Sequence, residues 1–218
     1  MCGRFTLGIP DKIESRFETN NKLPLFKPSW NIAPSWHIPT ITRNSLNKII
    51  MMKWGLIFSK NSSFGTINIR AETTLEKPFF KHILLNKRCL MVADSFYEWG
   101  EVNLEGKEEK YPFNFYLKNR ELFGFAGIYN DFNDAQGKPF YTCAMVTTTP
   151  NSLVKKAHNR MPVIIKKKDE EAWLNPENKD FNKLFDFLKP YPQKDMKMQI
   201  VGKEVNNPRN DNINLINP

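Results

Sequence analysis

The sequence predicts an α+β chain: a curved, mostly antiparallel, barrel-like β-sheet with flanking helices, in a single domain spanning residues 1–218. Three observations predict it. Short apolar stretches with period-two alternation recur along the chain, separated by turn-forming residues at the spacing of successive sheet strands. A few windows instead repeat apolar residues at the 3.6 spacing of surface helices. No linker, internal repeat or low-complexity tract divides the chain, and 40% hydrophobic residues with 17 Phe provide for a sizeable core.

Taken in order, residues 6–23 carry a helical pattern, with Ile13 and Phe17 on one face and Asp11 able to cap its start. Residues 24–39 hold four prolines with Trp30 and Trp36. Proline removes donors and fixes φ, so this stretch reads as an ordered loop. Two strands follow, 37–43 and 48–54, joined by a polar turn at Asn44-Ser45-Leu46-Asn47. In 64–73, Asn68, Arg70 and Glu72 alternate with Ile67, Ile69 and Ala71, which puts the three polar groups on one side of a strand. A helix is predicted over 74–86 and a strand over 89–93, leading into Asp94-Ser95-Phe96-Tyr97-Glu98-Trp99-Gly100, where a carboxylate between aromatics invites burial and a raised pKa. Residues 101–110 form a charged hairpin tip. Strands are expected over 111–118, 122–129 and 139–149, the last two joined through Asp134-Ala135-Gln136-Gly137. Residues 150–157 read as a helix start capped by Thr149, followed by a strand over 163–165, helices over 169–175 and 180–188, and one more strand after 196.

Composition narrows the function classes. Cys2, Cys89 and Cys143 are isolated from one another, with no paired spacing for zinc and an odd count that argues against a disulfide framework, so no metal or cofactor is expected and a reducing, cytoplasmic setting fits. No stretch approaches the roughly 18 apolar residues of a membrane span, and the N-terminus lacks a signal-peptide core. A net charge of +9 raises the expectation of a polyanionic partner, nucleic acid foremost.

The chemistry centres on Met1-Cys2-Gly3-Arg4-Phe5. Initiator-methionine removal, which proceeds when the next side chain is small, is expected to make Cys2 the terminus. A terminal cysteine has a thiol and an α-amine two carbons apart, with ordinary pKa values of about 8.5 and about 7.7–8.0. The amine condenses with an aldehyde to an imine, and the thiol closes it to a thiazolidine. Arg4, two residues on, would raise the thiolate fraction.

Polar residues of unusual kind gather in three further segments: Asn68-Ile69-Arg70-Ala71-Glu72-Thr73, Phe96-Tyr97-Glu98-Trp99 and His158-Asn159-Arg160-Met161-Pro162. With Asn31-Ile32-Ala33-Pro34, Trp54-Gly55-Leu56 and the tail's Val205-Asn206-Asn207-Pro208, these motifs, in this order, resemble the SOS response-associated peptidase family over almost the whole chain. The resemblance implies a sensor of abasic sites in single-stranded DNA, acting at single-stranded regions or at junctions with duplex, as a monomer in the cytoplasm or on a bacterial nucleoid. It implies Cys2 as the nucleophile that forms a thiazolidine crosslink with the ring-opened sugar. Asn68 would bond near the sugar or the amine, Glu98 would act as general acid and base, and His158 would move protons to the sugar oxygen and in reversal. Arg4, Arg70 and Arg160 would hold phosphates, and Pro34, Trp54 and Trp99 would wedge and stack bases, with Asn31 and Gly55 in the same DNA-binding set. The chain departs from the family at Asn159, where an acid is expected, and at Ile69 and Ser95, where smaller residues are expected.

Each proton transfer of thiazolidine formation suits a carboxylic acid or an imidazole. Single-stranded DNA suits cations along the phosphates and aromatics against the bases. Two other functions fit the same residues: a thiol peptidase with Cys2 as nucleophile, and a noncovalent single-strand-binding module. Structural roles also stand open: Glu98 paired with Arg70 or Arg160, His158 as a core histidine, Arg4, Arg70 and Arg160 in ion pairs, Trp54 and Trp99 in the core. His37, His82, Cys89 and Cys143 are assigned no chemistry.

Overall fold

The structure, a computed structural model, describes residues 2–59, 65–134 and 136–217. Met1, Phe64 and Ala135, which figure in the sequence expectations, lie outside them. The strands are β1 (Arg4–Leu7), β2 (Ser29–Ile32), β3 (His37–Arg43), β4 (Asn47–Trp54), β5 (Asn68–Arg70), β6 (Arg88–Ala93), β7 (Ser95–Leu104), β8 (Lys107–Leu117), β9 (Phe123–Asn133), β10 (Pro139–Thr148), β11 (Met161–Pro162), β12 (Ile164–Ile165) and β13 (Met196–Ile200). The α-helices are α1 (Ile13–Phe17), α2 (Ala71–Glu76), α3 (Pro78–Asn86), α4 (Glu170–Leu174) and α5 (Phe181–Asp186).

Five strands close a barrel in the order β10-β4-β3-β6-β9, with β9 pairing back onto β10. Closure leaves no open edge in this ring. Its neighbours are antiparallel except β4 and β10, which run parallel. All six residues of β6 are buried, as expected of a strand covered on both faces. A second, antiparallel sheet follows the order β13-β8-β7-β1-β2. The two meet through aromatic rings. Phe5 of β1 lies 5.1 Å from Trp54 and 5.8 Å from Phe125, and Phe96 of β7 lies 6.0 Å from Phe125. The α+β architecture and curved, mostly antiparallel sheet are those the sequence predicts.

Several local expectations are corrected. The helix read over 6–23 is helical only over 10–17, because Thr6 and Leu7 belong to β1, whose partners in β7 lie some ninety residues away. The loop read over 24–39 contains β2 and the start of β3. The strand read through 73 ends at Arg70, so Glu72 leaves the face it was placed on and enters α2. The helix of 74–86 is interrupted at Lys77, in extended conformation, ahead of Pro78; the residue before a proline disfavours the helical region. Of residues 150–157 only Val154–Lys156 form a 3-10 turn, and Thr149 does not cap it: no side chain caps this turn, and Asn151 Oδ1 accepts from the amides of Leu153 and Val154 ahead of it.

Candidate active site

Three long-range contacts assemble the site. β1 pairs with β7 with Arg4 opposite Tyr97, and continuing that antiparallel register sets the residues before Arg4 alongside Glu98 and Trp99. β5 lies parallel to β10 with Asn68 level with Met145, and the Asn68 amide donates from Nδ2 to the Cys2 carbonyl at 2.7 Å. His158 follows a 3-10 turn that rests directly on β7: a Cβ on Gly100 would come within 2.6 Å of the Ala157 Cα, so only glycine admits that segment. Two residues on, Arg160 donates both terminal nitrogens to the Glu72 carboxylate at 2.9 Å each and reaches the Thr147 carbonyl at 2.7 Å. That bidentate pair ties the His158 segment to α2, the helix that follows Asn68. The structure thus brings Cys2, Asn68, Glu98 and His158 together around the first residues of the chain.

Burial sets the electrostatics. The expectation that Arg4 favours the Cys2 thiolate is corrected: the Cys2 side chain is buried, desolvation, with the Glu98 carboxylate second, pushes its thiol well up, and the Arg4 guanidinium is turned to Asn31 and Val205, leaving its carbonyl 3.5 Å from the sulfur. Glu98 is 2% exposed, and burial raises its carboxyl to about 7, against the opposing charges of the amino terminus and Lys110. A carboxyl so placed is near half-protonated at neutral pH, able to give or take a proton. Burial is also the main cause that lowers the His158 pKa, and its Nδ1 accepts the Arg160 amide at 3.0 Å, which leaves Nε2 to carry the proton of the neutral ring. Asn68 Oδ1 is buried with no hydrogen-bond partner among the described residues, an acceptor available to a group entering the site. Beside His158 opens a cavity of about 500 Å³ lined by Thr149, Pro150, Lys155, Ala157 and Asn159.

The residues expected to bind DNA divide. Arg70 is exposed, and Pro34 is half-buried next to exposed Ser35 and Trp36. Trp99 is half-buried, with Nε1 donating to Asn206 Oδ1 at 2.7 Å. Trp54 is a correction: it is fully buried against Phe5 with Nε1 on the Ile67 carbonyl at 3.0 Å, so no face of it is open to a base. Asn31 is a second: it is fully buried and holds the tail, Nδ2 lying 3.2, 3.1 and 2.8 Å from the carbonyls of Val205, Asn207 and Asn210. Arg4 gives Nη1 to Asn31 Oδ1 at 2.7 Å and to the Val205 carbonyl at 2.9 Å. Gly55 is buried at the end of β4 with φ +143°, a conformation that side-chain-bearing residues rarely adopt; its amide donates to the Cys143 carbonyl. Arg160 is largely buried in its pair with Glu72 rather than with Glu98.

Sequence reasoning missed Glu72 as the partner of Arg160 and the tail as the clasp on Arg4. The recurring Asn of 206–214 was the available signal, since amides satisfy irregular backbone. Among the described residues no group of three His, Cys, Asp or Glu is placed to hold a metal, and no helix is long and apolar enough to cross a membrane.

Comparison with known proteins gives the same frame. The sequence profile of the SOS response associated peptidase (SRAP) family matches residues 1–208. The chain is 43% identical to the abasic site processing protein YoqW of Bacillus subtilis, with 99% of each chain covered, and 42% identical to YoaM of the same organism, with 99% and 97% covered. It is 26% identical to the abasic site processing protein HMCES of Rattus norvegicus, across 100% of this chain and 76% of that one. A crystal structure of a Bacteroides thetaiotaomicron protein superposes with a TM-score of 0.86 at 24% identity, covering 99% of both chains, which shows a shared fold. Motifs, fold and relatives agree: the chain belongs to the SOS response associated peptidase family.

Proposed function

We propose that this protein processes abasic sites in single-stranded DNA by forming a covalent thiazolidine between Cys2 and the ring-opened sugar, shielding the lesion. The observation that carries the reading is Asn68 Nδ2 fixing the Cys2 carbonyl at 2.7 Å beside a buried carboxyl, Glu98, raised to about 7. Support for the substrate comes from the relatives, named as abasic site processing proteins.

The chemistry follows from these groups. Once Met1 is removed, Cys2 carries the α-amine. The Glu98 carboxyl gives its proton to the sugar ring oxygen as the hemiacetal opens, and the carboxylate takes the C1′ hydroxyl proton as that group becomes the aldehyde. The amine adds to C1′; Glu98 gives its proton to the new oxyanion and takes one from the nitrogen, leaving the carbinolamine. The carbinolamine hydroxyl leaves as water with the Glu98 proton while the neutral His158 donates a hydrogen bond from Nε2 to the departing oxygen, and the carboxylate takes the remaining nitrogen proton, giving the imine. The thiol then adds across C=N: a C–S bond forms and the thiol proton passes to nitrogen. The overall balance is one water lost, with no change of oxidation state. Burial keeps the thiol protonated until this step, so its proton must leave as the C–S bond forms, and the imine nitrogen is the acceptor. The exposed Arg70 is the cation best placed for a phosphate, while Trp99 and Pro34 offer partly exposed surface to the flanking bases.

The test is a denaturing gel with protein whose Met1 removal is verified by intact mass. An abasic single strand is expected to give a slow-migrating band that the undamaged strand does not, and Cys2→Ala is expected to abolish it while retaining DNA affinity. Cys2→Ser keeps the amine, so it is expected to trap a borohydride-reducible imine without forming a stable crosslink. Absence of a band with fully processed wild-type protein overturns the proposal.

A further inference from the structure

An exposed aromatic cluster lies outside the site described above. Phe58, Phe79 and Phe80 pack edge to face, with centroids 5.4, 5.7 and 5.5 Å apart. Phe80 is partly buried against the core, whereas Phe58 is 42% exposed, Phe79 45% and neighbouring Leu75 53%. Apolar surface of this kind, grouped rather than scattered, marks a binding face. Its rim is cationic: Lys77 and Lys81 around the start of α3 are exposed, against the one carboxylate of 75–81, Glu76. Lys81 also sits over the Phe181 ring at 4.6 Å.

The cluster shares β10 and α2 with the candidate active site. The Ile57 amide, next to Phe58, donates to Thr142 Oγ1, and Asn68 is level with Met145 on the same strand, β10. Three residues of strand separate them, about 10 Å at roughly 3.3 Å per residue. Leu75 stands on α2, the helix whose Glu72 holds Arg160. An extended strand with its lesion at Cys2 and Asn68 therefore passes these rings within a few nucleotides of the lesion.

We infer that Phe58 and Phe79 form a stacking platform for an unpaired base of the bound strand, beyond the nucleotide next to the lesion, with Lys77 on an adjoining phosphate; this rests on the proposed function. Half-exposed rings in a basic rim suit nucleobases, because each base offers a π-face and each phosphate a charge. An apolar protein partner would leave the lysine rim without counterparts.

The experiment measures affinity for undamaged fluorescent oligothymidine by anisotropy across a salt series, and crosslinking rates on a long abasic strand and on an abasic dinucleotide too short to reach the rings. Phe79→Ala removes a half-exposed ring and is expected to weaken oligothymidine binding about 5- to 150-fold, with Phe79→Trp restoring it. Lys77→Gln is expected to reduce the slope of log affinity against log salt by about 0.7. Dinucleotide crosslinking is expected to be the same in Phe79→Ala as in wild type. Unchanged oligothymidine affinity in both Phe58→Ala and Phe79→Ala overturns the inference. So does sedimentation showing that these variants instead dissolve a dimer, which would assign the face to a second copy. If wild-type protein forms no crosslink, the proposed function fails, while oligothymidine affinity still decides the platform on its own.

Discussion

Glu98→Gln separates the catalytic use of a carboxyl from its cost to the fold. Burial raises Glu98 from its ordinary 4.5 to about 7. The folded state therefore holds this proton more tightly than the unfolded chain, and between those values the native state binds more protons. Stability then falls as pH rises, fully present below about 4.5 and lost as pH passes through about 7. At about 1.36 kcal/mol for each pH unit between the two values, ionised Glu98 costs the fold about 3 kcal/mol. Glutamine has nearly the same shape and no charge to desolvate. Glu98→Gln is therefore expected to be about 3 kcal/mol more stable than wild type at pH 8 and about equal to it at pH 4.5. The same variant is expected to slow crosslinking by about 10²- to 10⁴-fold, the usual worth of a general acid–base. Urea unfolding of both proteins at a series of pH values is the assay. Parallel stability curves for the two proteins from pH 4.5 to 8 would refute the reasoning, since Glu98 would then titrate alike in folded and unfolded chains.

Gly100→Ala drives a Cβ to 2.6 Å from the Ala157 backbone; it is expected to cost about 1–3 kcal/mol and to slow crosslinking by displacing His158, read by urea midpoint and gel rate. Trp54→Ala is expected to cost about 3–5 kcal/mol, whereas Trp54→Phe is expected to keep single-strand affinity at the wild-type value, as a core rather than a stacking residue requires. Asn31→Ala leaves the Arg4 guanidinium and three tail carbonyls short of a partner; a loss of about 3 kcal/mol is expected, with earlier proteolytic cleavage in 203–217.

What the sequence made legible was local. The β3–β4 hairpin and β13 were readable because alternation and turn residues act over a few positions. The burial of Glu98 was readable from its aromatic neighbours, Tyr97 and Trp99. What was missed depends on distant partners. Thr6 and Leu7 follow a helical pattern until β7 arrives to pair with β1. Glu72 looks like a strand residue until Arg160, 88 positions on, claims it from a helix. Trp54 reads as a stacking surface because residue type does not reveal that Phe5 will cover it. The buried Arg88 likewise gave no signal: its guanidinium serves carbonyls of Leu84, Leu85, Trp173, Asn175 and Asn178, backbone groups without a sequence mark.

The clasp on Arg4 has a consequence in time. Its carbonyl partner at Val205 lies 201 residues further along the chain. During synthesis the strand beginning at Arg4 therefore emerges long before the groups that hold its guanidinium exist. Over that interval the first residues lack their final anchorage. The first strand is thus made first and locked down last, so a chain released before Val205 would carry that strand unclasped.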